Sequence, residues 1–397
     1  MRRFHVAAED EIKNGRTADI YYWRTREILE AKGYASTKVI LEVSISNLPR
    51  EWKWGVLCGV EEEAYLFEGL PVNVWSMPEG TIMPPRDARG LRIPIMSIEG
   101  PYASFVHLET AIIGLICQAS GIATAAARVK KAADGKPCFS FGIRRIHPGI
   151  APMVDRAAFI GGFDGVSGIL GSELIGEPPV GTMPHPLILI LGDVERAVKA
   201  FDEVIDPKVP RVALVDTLYD EKVESLRAAE ALGDKLYAVR LDTPGSRKGD
   251  FADIVREVRW ELDIRGYRYV KIMVSGGLNE YSVKELSRAG ADAFGVGTYV
   301  SNAPSIDFTT DVVEIEGKPI AKRGKLSGRK QAWRCPSCYT WLVTPWDTPE
   351  TSCPSCSTPM EAMLKPVIRE GKVLAKLPSP KEIREYVLKQ LEHYSLD

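Results

Sequence analysis

Between residues 137 and 300 the sequence repeats one unit: a short apolar run, a polar or glycine-rich tip, then an amphipathic helical pattern. The runs are CFSFGIRR, AFIGGFDGVSG, RVALVDTLYD, KLYAVRLDTPGS, YVKIMVSGGLNE and DAFGVGTYVS. Patterns such as DVERAVKAFDEVI, EKVESLRAAEALG, FADIVREVRWELDIRG and SVKELSRAGA lie between them. Strand, tip and helix in repetition write a parallel α/β barrel. In such a barrel the functional groups sit on loops at the C-terminal ends of the strands, where these six tips converge.

The flanks read differently. Residues 1–105 open with a helix, TADIYYWRTREILEAKG, and continue in strands such as KVILEVSIS, AYLFEGLPVNVWSM and RIPIMSIEG, which predicts an α+β sandwich module. MPPRDARGLRIP reads as a hairpin loop within it. Residues 106–302 form the expected barrel domain; 303–397 hold short strands, a four-cysteine segment at about 333–362 and a terminal helix from about Pro380. With 397 residues, 45% hydrophobic and 26% charged, the chain can bury a large core over more than one domain, which excludes a disordered protein. A formal net charge of -2 gives no global attraction for nucleic acid or anionic lipid, so an anionic ligand needs a local site. The N-terminus lacks a signal-peptide pattern, and TAIIGLICQASGIATAAA (110–127) suits a buried helix better than a membrane span. A cytoplasmic protein without membrane contact is expected.

Seven cysteines divide unevenly. Cys58, Cys117 and Cys138 sit singly in apolar surroundings and read as core residues. Cys335, Cys338, Cys353 and Cys356 form two C-P-x-C knuckles separated by fourteen residues, the spacing of a tetrahedral Zn2+ ribbon, with an iron–sulfur centre or a redox dithiol pair as the alternatives. Four thiolates leave no position for water, so such an ion is structural.

The barrel tips carry the chemistry. Gly276, Gly277, Gly297 and Thr298, in the last two tips, offer backbone amides that can wrap phosphate oxygens. Arg144 and Arg145 can clamp a carboxylate or pyrophosphate with planar forks. Asp216, Asp220, Arg240 and Asp242 can hold ribose hydroxyls or the Mg2+ that accompanies a pyrophosphate. His185, in GTMPHPLI, is by its residues alone either a packing histidine that caps PLILILGDV or a nucleophile toward phosphorus.

In order along the chain, TADIYYWRT, ETAIIGLICQASGIATAA, FGIRR, GGFDGVSG, GTMPH, VDTLYD, VRLDTPG, SGGLNE and GVGTYVS resemble the motifs of the nicotinate phosphoribosyltransferase family, within the type II phosphoribosyltransferases. The resemblance implies an N-terminal sandwich, an irregular TIM-like α/β barrel, and a homo-oligomer, dimer or higher, with active sites shared between subunits. The cysteine ribbon resembles that of some shorter prokaryotic members. The implied reaction joins nicotinate to phosphoribosyl pyrophosphate and couples it to ATP hydrolysis through phosphorylation of His185. By the same resemblance Arg144 and Thr182 contact nicotinate or the reacting sugar, and Tyr21, or its neighbour Tyr22, stacks on the pyridine from the neighbouring subunit. Asp216, Arg240 and Asp242 take the ribose and pyrophosphate, and Gly276, Gly277, Gly297 and Thr298 the 5′-phosphate. In GGFDGVSG, Ser167 stands where nicotinamide enzymes carry an aspartate. A hydroxyl donates to a carboxylate without opposing charge, so nicotinate is expected, with nicotinamide or quinolinate as alternatives. From a different class, the ribbon and KRGKLSGRKQAWR, with Trp333, Tyr339, Trp341 and Trp346 nearby, could instead bind nucleic acid; the ionic tips argue against it.

Overall fold

The structure, a computed structural model, describes residues 3–374 and 376–396. It divides into two compact units: Met1–Thr124 with Pro304–Ser395, and Ala125–Ala303 with Leu396. The segment after residue 304 thus folds with the N-terminal residues.

In the first unit a seven-stranded sheet runs in the order Lys318–Pro319, Asp307–Ile315, Lys38–Asn47, Pro94–Pro101, Asn73–Ser76, Lys365–Arg369, Lys372–Val373. All its pairings are antiparallel. Val39–Ile45 is buried on both faces, as a central strand of β-branched and apolar residues should be. An antiparallel bridge between Arg86 and Arg92 closes the expected hairpin loop. One expectation is corrected: Ala64–Phe67 belongs to the helix Val60–Phe67, and only Asn73–Ser76 is strand. Three glutamates in the helix's first turn suit its dipole, and Val60, Glu63, Ala64, Leu66 and Phe67 turn inward at helical spacing, which outweighs the β propensity of Tyr-Leu-Phe. The apolar stretch at 110–127 lies within the helix Glu109–Ala132. Tyr102–Ala132 is long and apolar enough to cross a membrane by length and composition, yet 67% of its most apolar window is buried within the protein, the mark of a core helix.

The second unit is a six-stranded parallel half-barrel in the order Gly165–Val166, Cys138–Ser140, Ala293–Val296, Lys271–Ser275, Leu236–Leu241, Arg211–Leu214. Each strand lies in one of the six apolar runs. In AFIGGFDGVSG only Gly165–Val166 is strand, because Phe159 and Ile160 close the helix Ala151–Ile160. The four helical patterns appear as Val194–Val204, Glu221–Leu232, Phe251–Ile264 and Glu280–Ala289. Because every strand runs the same way, the tips at 141–145, 167, 215–220, 242–248, 276–277 and 297–298 share the carboxyl edge of this sheet.

Candidate active site

That carboxyl edge opens into a cleft of about 780 Å³. Eleven of the residues singled out by sequence line it: Arg144, Arg145, Ser167, Thr182, His185, Arg240, Asp242, Gly276, Gly277, Gly297 and Thr298. Asp216 sits beside it with its side chain 2% exposed, Oδ2 4.0 Å from His185 Nε2. Tyr21 lies in the other unit, exposed on the helix Ile20–Ala31, and Tyr22 gives its hydroxyl to Glu109 at 3.3 Å.

The two prolines around His185 start a helix. Pro184 is the extended N-cap, His185 the first helical residue of His185–Leu191, and Pro186 follows where a missing N–H costs nothing. Pro184 supplies no side-chain capping bond. The imidazole Nδ1 of His185 lies 3.0 Å from Thr217 Oγ1, and its Nε2 faces Asp242 Oδ2 at 3.6 Å as well as Asp216. With 37% of its side chain exposed, His185 is a cleft residue rather than a packing one. Thr217 is held from below: the buried carboxylate of Glu224, on the helix Glu221–Leu232, accepts the backbone N–H groups of Thr217, Leu218 and Tyr219 at 2.8, 3.0 and 3.4 Å.

Asp242 is oriented by Ser275, whose hydroxyl donates to Oδ1 at 2.7 Å. Neither carboxylate oxygen of Asp216 has a hydrogen-bond partner. Burial, followed by the nearby charge of Asp242, pushes its carboxyl up to about 7, against the pull of Arg240. Arg240 spans the cleft wall, its guanidinium 5.9 Å from the Phe141 ring and 3.5 Å from the Met183 carbonyl. Lys248 donates to the Gly276 carbonyl at 2.6 Å, and burial lowers its pKa. Gly276 and Gly277 have φ of +91° and +69°, a conformation that opens the tip and that side-chain-bearing residues rarely adopt. The cleft thus presents Arg144, Arg145, Arg240 and Lys248 around Asp242 and two glycine-rich turns, a lining suited to an anionic, polyphosphorylated ligand.

Sequence reasoning passed over Lys248, Thr217 and Ser275. Lys248 stands in a stretch rich in glycine and charge that reads as a solvated loop, whereas Ser275, the last residue of its strand, was legible as a tip. Asp220, read as a possible ribose or magnesium ligand, accepts the Val223 N–H at 2.9 Å and caps the helix Glu221–Leu232.

In the first unit the sulfurs of Cys335, Cys338, Cys353 and Cys356 lie within 4.8 Å of one another. Cys338 is 3.5 Å from Cys353 and from Cys356, and Cys335 is 3.5 Å from Cys356. Tetrahedral metal–sulfur bonds of roughly 2.3 Å put sulfurs roughly 3.8 Å apart, so this donor set fits one metal ion and is too open for disulfides. Backbone N–H groups of Cys338 and Ser355 point at the sulfurs of Cys335 and Cys353, as thiolate ligands require. The nearby aromatics are packing groups. Trp333 and Trp341 are buried, Tyr339 stacks on His393 at 4.2 Å, and Arg329 lies between Trp75 and Trp346 at 3.8 and 3.6 Å.

A parallel half-barrel whose carboxyl edge carries a cationic, glycine-rich cleft defines an α/β protein with a lining chemically able to take phosphorylated ligands. Residues 19–120 match the family described as Quinolinate phosphoribosyl transferase, N-terminal domain, and residues 122–311 its C-terminal domain. The solved nicotinate-nucleotide pyrophosphorylase from Pyrococcus furiosus is 56% identical over 100% of both chains, with a TM-score of 0.95. Nicotinate phosphoribosyltransferase pncB1 of Mycobacterium tuberculosis is 31% identical over 71% of this chain and 64% of its own length, so the match spans somewhat less than two thirds of that relative. Nicotinate phosphoribosyltransferase of Bacillus subtilis is 28% identical over 80% of this chain and 72% of its own. Human nicotinic acid phosphoribosyltransferase, at 19% identity and a TM-score of 0.76, shares the fold. The chain belongs to the quinolinate and nicotinate phosphoribosyltransferase family.

Proposed function

We propose that this protein is a nicotinate phosphoribosyltransferase: it forms nicotinate mononucleotide and pyrophosphate from nicotinate and phosphoribosyl pyrophosphate, within the cell's cytoplasm and in the service of NAD synthesis. The observation that carries the reading is the single cleft in which four cations, Asp242, His185 and two glycine turns converge. Displacement at the anomeric carbon proceeds through a transition state with oxocarbenium character, so catalysis rests on positioning and on neutralising the leaving group. Arg240 and Lys248 meet the charge of the phosphate groups, and the turns at Gly276–Gly277 and Gly297–Thr298 cradle the 5′-phosphate. Asp242 and the unpartnered Asp216 would hold the Mg2+ that accompanies phosphoribosyl pyrophosphate, which when bound neutralises the departing pyrophosphate. Arg144, Thr182 and Ser167 face the pyridine, with Tyr21 of a second copy stacking on it in a homo-oligomer. Cys335, Cys338, Cys353 and Cys356 would hold a zinc ion, which when bound would keep their ribbon folded.

ATP enters through His185. The Thr217 hydroxyl meets Nδ1, which leaves Nε2, facing Asp242 at 3.6 Å and Asp216 at 4.0 Å, as the nitrogen that would attack the γ-phosphorus of ATP with ADP as the leaving group. Turnover of this phosphohistidine drives the equilibrium toward the mononucleotide. The family description matched by both parts of the chain names quinolinate, and this favours that dicarboxylate as the second reading.

The test is product formation with phosphoribosyl pyrophosphate and magnesium, comparing nicotinate, nicotinamide and quinolinate, with and without ATP, for wild type and His185→Ala. Nicotinate alone is expected to give mononucleotide, with ATP raising the yield only when His185 is present. Preference for another pyridine overturns the substrate reading, and an unchanged ATP response in His185→Ala returns the histidine to a packing role.

A further inference from the structure

Beneath the cleft lies a carboxylate that the reaction scheme does not use. Asp155, on the helix Ala151–Ile160, is fully buried. Its Oδ1 accepts the hydroxyl of Ser140 at 2.9 Å, and its Oδ2 accepts the backbone N–H of Gly168 at 3.1 Å. The backbone N–H of Ser167 donates in turn to the Ser140 carbonyl at 3.1 Å. Ser167 is therefore anchored on both sides: by its own bond to Ser140, whose side chain Asp155 holds, and by the next residue's bond to Asp155 directly.

The backbone here is moulded to the carboxylate. A Cβ on Gly168 would stand 2.3 Å from Asp155 Oδ2, and one on Gly171 would stand 2.5 Å from the same oxygen. Glycine at both positions lets the turn close onto the acid. Burying a carboxylate costs free energy that filling space alone does not justify, and here the charge is met by hydrogen bonds ending at the turn that carries a cleft residue.

We propose that Asp155 is a positioning residue for pyridine recognition: it sets the Ser167–Gly168 turn so that the Ser167 hydroxyl meets the pyridine substituent while the phosphoribosyl half of the cleft is left as it is. The inference rests on the reading of Ser167 given above. Substrate-contacting groups are held to sub-ångström tolerance by the hydrogen bonds behind them, so loosening this anchor shows first in the affinity for the molecule that Ser167 touches.

The experiment compares wild type, Asp155→Asn and Ser140→Ala as full-length chains, with folding verified by thermal unfolding. Asparagine keeps the volume but places an amide N–H2 group where one of two donors is now accepted. Asp155→Asn is expected to raise KM for the pyridine by about tenfold, and Ser140→Ala by less. The KM for phosphoribosyl pyrophosphate should stay within about twofold of wild type in both. Should both KM values rise together, or neither move in the folded variants, the proposal is overturned. If Asp155→Asn does not fold, Ser140→Ala alone decides, by the same split between the two substrates. If the wild type turns over nicotinamide or quinolinate in place of nicotinate, the substrate reading falls, yet the KM split measured on that pyridine still decides the role of Asp155.

Discussion

At the scale of single residues, the cleft gathers groups whose protonation is linked to folding. Asp216 is buried beside Asp242, and its carboxyl is raised from 3.8 to about 7. The native state therefore binds this proton more tightly than the unfolded chain does. The stability that this group contributes is full at pH below its unfolded value and is lost as pH rises toward about 7. Asp216→Asn removes that loss. The melting temperature of Asp216→Asn relative to wild type is expected to be higher at about pH 8 than at about pH 5, as thermal unfolding at the two pH values would read. A difference that is flat or reversed with pH would mean that Asp216 is ionised and well solvated in the native protein.

At the scale of elements, caps and knuckles separate structural from functional charge. Asp220 closes the N-terminus of the helix Glu221–Leu232, so Asp220→Ala is expected to cost about 1 kcal/mol of stability in chemical denaturation. Its KM for phosphoribosyl pyrophosphate should match wild type; a large rise in that KM would restore the aspartate to the ribose site. The four-cysteine cluster makes a second prediction. Elemental analysis of the purified protein is expected to find about one zinc per chain, and Cys353→Ser to lose it, with protease cleavage appearing between 330 and 362. Retention of metal in that variant would place the ion elsewhere.

At the scale of the whole molecule, the proposed site includes a residue from a second copy. The helix Ile20–Ala31 exposes Ile20, Tyr21 and Ile28, apolar groups that are costly to leave in water and that suit burial against another chain. If Tyr21 of one subunit serves His185 of the next, Tyr21→Ala, expected to be inactive, and His185→Ala, expected to lose its response to ATP, should complement for ATP-stimulated turnover when subunits are exchanged. In hybrid dimers one site carries both substitutions and the other neither, so random mixing restores about a quarter of wild-type ATP-stimulated turnover. Absence of any recovery, with exchange verified by mass, would place the stacking ring within the same subunit.

The division between what was legible and what was not follows the range of the forces involved. Strand, tip and helix from 137 to 300 were readable because periodicity and turn residues act over a few positions, and one parallel direction then sends all the tips to one edge. The cysteine cluster was readable because metal geometry dictates the spacing of its ligands. Residues 64–67 were misread because a helix end and a strand share the same apolar letters, and only burial on one face chose between them. The pairing of Asp307–Ile315 with Lys38–Asn47 joins segments far apart in sequence, and no local pattern encodes it. The same holds for Asp155, which in sequence is one acid in a helix, and for Thr217 and Lys248. Their roles arise from hydrogen bonds to Gly168, His185 and Gly276 that exist only once the sheet has assembled. The sequence alone determined which chemical groups this protein carries and the edge at which they gather; tertiary structure decided which of them touch, because hydrogen bonds and buried charges depend on ångström distances between residues that the chain leaves far apart.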